Sequence, residues 1–216
     1  MTTIAVIDYG MGNLHSVAKA IEHVAPEARV VVTSDPDAVR EAERAVFPGQ
    51  GAMPDCMREL DSRGLRAAVL EAAAGKPFLG LCIGLQMLFE SSEEGNVAGL
   101  AVLRGTVKRF APARMRGPDG ARLKVPHMGW NQVEQSGEAG SRHPLWAGID
   151  GGTRFYFVHS YYVEAASPGQ VVGRSDYGFP FTCAVAQANI FAVQFHPEKS
   201  AAAGLTLLKN FVNWRP

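Results

Sequence analysis

The chain is poor in cysteine and in charged residues. Only three of its 216 residues are cysteine, Cys56, Cys82 and Cys183, and no two of them form a C-x-x-C pair. An odd, scattered set of thiols argues against a disulfide framework and against a thiolate zinc site, and it fits a reducing compartment. Charged residues make up 19% of the sequence, and 21 Lys and Arg balance 21 Asp and Glu. A formal charge of zero leaves no global attraction to nucleic acid or anionic membrane, so a charged partner must be met by a local patch. Long apolar runs are missing too, none approaching the ~18 residues of a membrane span. Met1-Thr2-Thr3 leads into an apolar run at 4–7 without the basic region of a secretory signal, and a soluble, cytoplasmic protein is expected.

Metal and nucleotide patterns are equally scarce. No histidine pair has H-E-x-x-H spacing and no acidic cluster has calcium-loop spacing, so neither a metal nor a cofactor is expected. Tyr9-Gly10-Met11-Gly12-Asn13 starts like a dinucleotide loop, but His15 stands where the third glycine belongs. A turn with Asn13 capping a helix accounts for it.

What is present is the balance of a folded protein: 47% hydrophobic residues, 23 Gly and 13 Pro. No repeat or low-complexity tract appears, and turn residues are spread too evenly to mark a boundary, so one domain over residues 1–216 is expected. The first half reads as alternating strands (3–8, 29–33, 45–47, 78–81) and helices (13–24, one opened by Asp35-Pro36, one after Pro54, and 65–74), the pattern of a parallel sheet. The second half contains strand-like runs at 101–110, 154–163, 170–174, 181–187 and 190–195 without helices between them, so antiparallel pairing is expected. Residues 111–123, rich in Arg, Pro and Gly, read as an exposed, mobile loop. A last helix spans about 201–214.

The segment 78–89 places Gly80-Leu81-Cys82-Ile83-Gly84 between a buried strand and an expected amphipathic helix. This is the cysteine form of a nucleophile elbow, in which small flanking residues let the chain turn sharply and push the nucleophile out over the sheet. The helix start favours thiolate, and the Ile83 N–H points toward a developing oxyanion. The alternative is that Cys82 is a small core residue. A thiol needs a base, and His196 in Gln194-Phe195-His196-Pro197-Glu198 ends a strand with an acid two residues on, the same side of an extended chain. Taken alone the segment reads equally well as a surface His-Pro-Glu turn, and the presence of the elbow favours the base. Pro48-Gly49-Gln50-Gly51-Ala52 follows the third strand, and Gly51 is the candidate second oxyanion donor, though a tight turn explains the same glycines. Cys183 and Cys56 carry no catalytic context.

Together, Pro48-Gly49-Gln50-Gly51, Gly80-Leu81-Cys82-Ile83-Gly84-Leu85-Gln86 and Phe195-His196-Pro197-Glu198 resemble the class I, triad-type glutamine amidotransferases. Segments 8–14, 126–131 (Pro-His-Met-Gly-Trp-Asn), 156–162 and 196–200 are similar to the glutaminase subunits of imidazole glycerol phosphate synthases, over essentially the whole chain. The resemblance implies an α/β fold with a mostly parallel central sheet, flanking helices and an antiparallel second half. It further implies glutamine hydrolysis through a glutamyl thioester, with Cys82 as nucleophile, His196 as base and acid, and Glu198 orienting it. Gly51 and Ile83 would form the oxyanion hole, and Gln86, Glu94, Ser160 and Tyr161 would hold glutamine. The implied partner is a (β/α)8-barrel cyclase in a heterodimer that receives ammonia for histidine biosynthesis, with Asn13, Trp130, Tyr156 and Lys199 facing it. Gln50 departs from the small apolar residue common in that family. Other class I glutaminases serving pyridoxal phosphate or anthranilate synthesis, a thiol peptidase or γ-glutamyl hydrolase, and a catalytically silent scaffold stay open as alternatives.

Overall fold

The computed structural model describes residues 1–111, 113–117, 120–137 and 142–216. In chain order, β1 (Thr3–Ile7), α1 (Leu14–Val24), β2 (Arg29–Thr33), α2 (Pro36–Glu41), β3 (Arg44–Phe47), α3 (Met53–Ser62), α4 (Arg66–Gly75) and β4 (Phe78–Leu81) form the expected alternation. Local chemistry sets the boundaries. The Asn13 side chain accepts the Ser16 N–H at 3.5 Å to open α1, and Asp35 accepts the Asp37 N–H at 3.0 Å to open α2 behind Pro36. The Lys76 ammonium donates to the carbonyls of Val39, Arg40 and Ala42, closing the other end of α2.

The chain then runs through α5 (Ile83–Met87), β5 (Phe89–Ser92), β6 (Val97–Ala98), β7 (Leu103–Arg109), β8 (His127–Gln135), β9 (Thr153–His159), β10 (Tyr161–Ala165), β11 (Val171–Asp176), β12 (Pro180–Gln187), β13 (Ile190–Val193) and α6 (Ala201–Asn213). Strands β2-β1-β3-β4-β13 are parallel neighbours in that order, and β12, β10 and β7 extend the sheet by antiparallel pairing. Apart from the half-exposed edge strand β2, the parallel strands are buried on both faces, with alternate residues entering two cores. Val46, Leu79, Phe191 and Val193 join α1 and α6 on one face, while Phe47, Phe78, Ile190 and Ala192 join α3 and α4 on the other. Among the described residues no helix is long and apolar enough to cross a membrane.

The structure corrects four expectations. The expected amphipathic helix after Cys82 is the five-residue α5, all five of its residues are buried, and the chain turns at once into β5, which pairs with β7 and β6 at the far end of the sheet. The run 154–163 is two strands, β9 and β10, broken at Ser160. Strand β8, absent from the sequence reading, carries Asn131, Gln132, Glu134 and Gln135, and only His127 and Val133 along it are buried, so its apolar alternation is faint. The Arg-rich stretch is not simply an exposed loop. Met115 is fully buried, Arg116 and Arg122 form a bridge, and the Leu123 N–H returns to the Met115 carbonyl at 2.9 Å, although Pro112, Pro118 and Asp119 lie outside the described residues.

Candidate active site

Cys82 sits between β4 and α5 with φ 54° and ψ −110°, a conformation an L residue holds only when its surroundings enforce it. Gly80 and Gly84 explain how it is enforced. A Cβ on Gly80 would lie 2.9 Å from the Ala192 Cβ, and one on Gly84 would collide with the Phe47 carbonyl oxygen, so the elbow packs directly on both neighbouring strands. The Cys82 N–H still donates to the Val193 carbonyl at 2.8 Å, extending the β4–β13 ladder by one bond. The thiol therefore emerges at the carboxyl end of a parallel sheet, where open α/β folds bind their ligands.

Because β13 lies parallel to β4, the segment leaving β13 arrives beside the elbow. His196 takes the extended conformation its following proline favours, and its N–H donates to the Tyr156 carbonyl at 2.9 Å. Its Nδ1–H donates to Glu198 Oε1 at 2.8 Å. The contact is as expected but its cause is not. Glu198 lies in a 3-10 turn, Pro197–Lys199, that folds the carboxylate back onto the ring instead of alternating along an extended chain. The other ring nitrogen, Nε2, is buried and has no partner at full hydrogen-bond geometry. Burial pulls the His196 pKa down, but the neighbouring Cys82 sulfur and then Glu198 outweigh it and raise it to about 10. A thiol beside an imidazole held by a buried carboxylate can present thiolate to an electrophilic carbonyl.

A cavity of about 230 Å³ opens over this group, with Cys82, His196, Gly51, Ile83, Gln86 and Glu94 in its wall together with Ser160 and Tyr161. Gly51 has φ +111°, and a Cβ there would stand 2.7 Å from the Met11 Cε; a Cβ on Gly49 would overlap Tyr9 and Ile83. The loop after β3 thus lies against the elbow, and the N–H groups of Gly51 and Ile83 precede and open helices, where no helical acceptor exists. Glu94 accepts the Met53 N–H at 2.8 Å, so one of its oxygens starts α3. Gln86 Nε2 donates to the Tyr161 carbonyl at 3.1 Å and to Gln194 Oε1 at 2.9 Å, which leaves Gln86 Oε1 buried and unpartnered.

Of the residues expected to face a partner, Trp130 and Tyr156 are cross-strand neighbours with ring centroids 6.2 Å apart, and the Lys199 Nζ lies 5.9 Å from the Tyr156 ring. Among the described residues, Trp130 and Met128 are the large hydrophobic side chains most open to solvent after Met1, 50% and 62% exposed. Asn13 stands apart, as the cap of α1. Cys56 and Cys183 are buried, and burial pushes the Cys56 thiol up to about 11 and that of Cys183 higher still.

Two residues of this neighbourhood were given no role in the sequence reading. Gln194, wholly buried, directs its Nε2 toward the Cys82 sulfur at 3.7 Å, and Ser200 accepts the Tyr156 N–H at 3.0 Å and donates to the His196 carbonyl at 2.6 Å. A polar residue at each end of the Phe-His-Pro-Glu-Lys run, in an otherwise apolar setting, was the available signal.

The sequence model described as glutamine amidotransferase class-I matches residues 5–214. A protein of Nitrosospira multiformis named imidazole glycerol phosphate synthase subunit HisH is 67% identical over 216 residues, covering 100% of both chains. Proteins of the same name from Dechloromonas aromatica (67% identical, 99% and 97% covered) and Methylococcus capsulatus (56% identical, 100% and 98% covered) are similar throughout. Among solved structures, the crystal structure of a glutamine amidotransferase shares the fold at a TM-score of 0.69 and 17% identity over 97% of each chain. A glutamine amidotransferase of Thermotoga maritima aligns at a TM-score of 0.60 and 16% identity over 94% of this chain and 78% of that one. The elbow, the histidine–carboxylate pair and a family match spanning nearly the whole chain lead to one conclusion: the chain belongs to the class I glutamine amidotransferases, within the family of HisH subunits of imidazole glycerol phosphate synthase.

Proposed function

We propose that this chain is the glutaminase subunit of an imidazole glycerol phosphate synthase, hydrolysing L-glutamine to glutamate and ammonia for histidine biosynthesis. The observation that carries the chemistry is the buried His196–Glu198 pair, 2.8 Å apart, beside a thiol held in a strained elbow. In this reading Cys82 thiolate attacks the side-chain amide carbon of glutamine, and the carbonyl oxygen becomes an oxyanion met by the N–H groups of Gly51 and Ile83. The His196 imidazolium gives its proton to the departing nitrogen, the C–N bond breaks, and a glutamyl thioester and ammonia result. The neutral ring then takes a proton from water, hydroxide adds to the thioester, and glutamate leaves as Cys82 returns to thiolate. Glu198 holds Nδ1–H throughout, so that Nε2 is the nitrogen that moves protons.

Gln86 Oε1 and Glu94 are acceptors suited to the substrate ammonium, and the backbone of Ser160 and Tyr161 lines the opposite requirement, anchoring the amino-acid end. The two cores sharing one sheet support a single domain over residues 1–216. The names of the relatives support a partner in the synthase, and we assign it as a (β/α)8-barrel cyclase bound as a heterodimer, receiving ammonia directly and releasing imidazole glycerol phosphate and aminoimidazole carboxamide ribotide. Trp130, Tyr156, Lys199 and Asn13 are the proposed contacts. Three buried cysteines, all of them free thiols, support a cytoplasmic location.

Glutamate release measured with and without the barrel partner and its nucleotide substrate tests the assignment, and strong stimulation is the expected result. Activity indifferent to both would remove the coupled function while leaving the chemistry. Rescue of a histidine auxotroph checks the pathway, and a glutamine-like alkylator is expected to label Cys82 while sparing Cys56 and Cys183.

A further inference from the structure

Two histidines outside the triad form a chain of hydrogen bonds whose direction can be deduced. His159 Nδ1 lies 2.8 Å from the Tyr161 carbonyl, His159 Nε2 lies 2.9 Å from His127 Nδ1, and His127 Nε2 lies 3.2 Å from Asn131 Nδ2. A carbonyl only accepts, so His159 must carry its proton on Nδ1. Burial lowers the pKa of His159 to about 3 and that of His127 to about 4, so both rings are neutral near pH 7. A neutral His159 with Nδ1–H has an acceptor at Nε2, and His127 must then donate from Nδ1 and accept at Nε2. The far end demands the same state independently. Asn131 Nδ2 also donates to the Asp176 carbonyl at 2.7 Å, and its Oδ1 accepts the Gln132 N–H at 2.8 Å, so the amide cannot be reversed. Two backbone carbonyls, one at each end, thus specify one tautomer for both rings. The His127 ring is also clamped between Phe157 and Tyr177, with centroids 4.8 and 4.0 Å away.

The carbonyl at the inner end is shared with Gln86, whose Nε2–H it accepts. That bond and the bond to Gln194 Oε1 decide which way the Gln86 amide points, and so leave Oε1 without a partner in a residue that lines the cavity; Gln194 in turn presents Nε2–H to the Cys82 sulfur. We infer that His127 and His159 are positioning residues for the glutamine site, holding the Tyr161 carbonyl so that Gln86 and Gln194 each keep one amide orientation. The inference rests on the glutaminase reading. It predicts that the chain acts mainly on substrate capture, because the groups it orders face the amino-acid end of the ligand and the sulfur, not the proton carried by His196.

The experiment uses His159→Leu, which removes the donor, and His159→Asn, whose Nδ2–H replaces Nδ1–H toward the carbonyl. For His159→Leu the KM for glutamine is expected to rise roughly tenfold or more, the scale of one lost buried hydrogen bond, with a smaller fall in kcat. Labelling of Cys82 by a glutamine-like diazo ketone should slow in parallel, while labelling by iodoacetamide, which needs no glutamine site and meets only the Gln194 contact at the sulfur, should slow much less. His159→Asn should recover most of the lost substrate capture. On the unaltered protein, long-range ¹H–¹⁵N spectra should show both rings protonated at Nδ1, a readout independent of whether any variant folds. An Nε2–H tautomer on either ring, equal slowing of both reagents, or an Asn variant no better than Leu would overturn the proposal. An unaltered protein that neither releases glutamate with its partner nor reacts with the diazo ketone would instead remove the glutaminase reading.

Discussion

His196 and His159 line the same cavity and are equally buried, each 6% exposed, yet their pKa values move in opposite directions. Burial lowers both. For His159 nothing offsets it: the next influence is the His127 ring, which lowers it further, and the bond to the Tyr161 carbonyl raises it less. For His196 the sulfur of Cys82 and the carboxylate of Glu198 overcome burial. Depth alone therefore does not tell a proton-transfer histidine from a structural one; an anionic partner does. The same lesson separates the cysteines. Cys56 and Cys183 have burial as the main influence on their thiols, while Cys82 stands beside a histidine held protonated.

Removing the first influence that raises His196 is the most direct way to break this contrast. Cys82→Ala takes away both the nucleophile and the strongest influence raising His196, and glutamine hydrolysis in the assembled complex is expected to fall by roughly 10³-fold or more. Glutamate release measures the loss, and full retention of activity would exclude the triad. A titration of the His196 ring by NMR in the same variant should place its pKa well below that in the unaltered protein.

Glu198→Gln tests the second influence and has a smaller expected effect. Glutamine can still accept the Nδ1–H bond but carries no charge, so kcat/KM should fall by roughly 10²-fold, within the range for general acid–base groups. The sign of the pH effect follows from the carboxylate's role in raising the His196 pKa. With the charge gone the imidazolium loses its proton at a lower pH, and the alkaline limb of the kcat/KM profile moves toward neutrality. A profile unchanged in position would show that Glu198 acts only on ring geometry.

The two halves of the molecule differ in how much of this was legible beforehand. From β1 to β4 each strand is a short continuous apolar run bounded by Gly, Pro or a capping acid, and β2 and β4 occupy the expected residues. The information there is local. In the second half, β8 has a weak apolar pattern because its outward face carries Met128 and Trp130, the second of them a proposed partner contact, and Gly129 with φ +128° interrupts it. Residues 127 and 159 lie 2.9 Å apart at their ring nitrogens only because β8 and β9 pair in that register, so the histidine chain was invisible until the long-range pairing was known. The contact between His196 and Glu198 was foreseen from a wrong cause, since spacing two fits an extended chain and a 3-10 turn alike once a proline stands between.

The smallest expected effect is on stability, and it turns the opposite pKa shifts into opposite pH dependences. His127, His159 and His143 all have pKa values lowered in the folded state, His127 and His143 to about 4, against an ordinary value of 6.5. In the unfolded chain they bind protons below about pH 6.5. Their folded environments refuse those protons, so the stability they contribute is complete above about 6.5 and declines as pH falls toward 4. His196 has the reverse sign: its pKa is raised, its contribution is present below about 6.5, and it is lost as pH rises through about 10. Urea midpoints at pH 7.5 and 5.0 keep ordinary carboxylates charged, and because His196 contributes with the opposite sign across the same interval, comparison with a single-histidine variant isolates a member of the first group. His127→Phe keeps an aromatic ring between Phe157 and Tyr177 but cannot take up a proton. It should be less stable than the unaltered protein at pH 7.5, where the chain bonds are missing, yet lose less on acidification, by on the order of 1 kcal/mol after allowance for partial solvent contact. An equal loss in both proteins would mean that His127 accepts its proton without unfolding, and the neutral member of the comparison would no longer differ from the charged one.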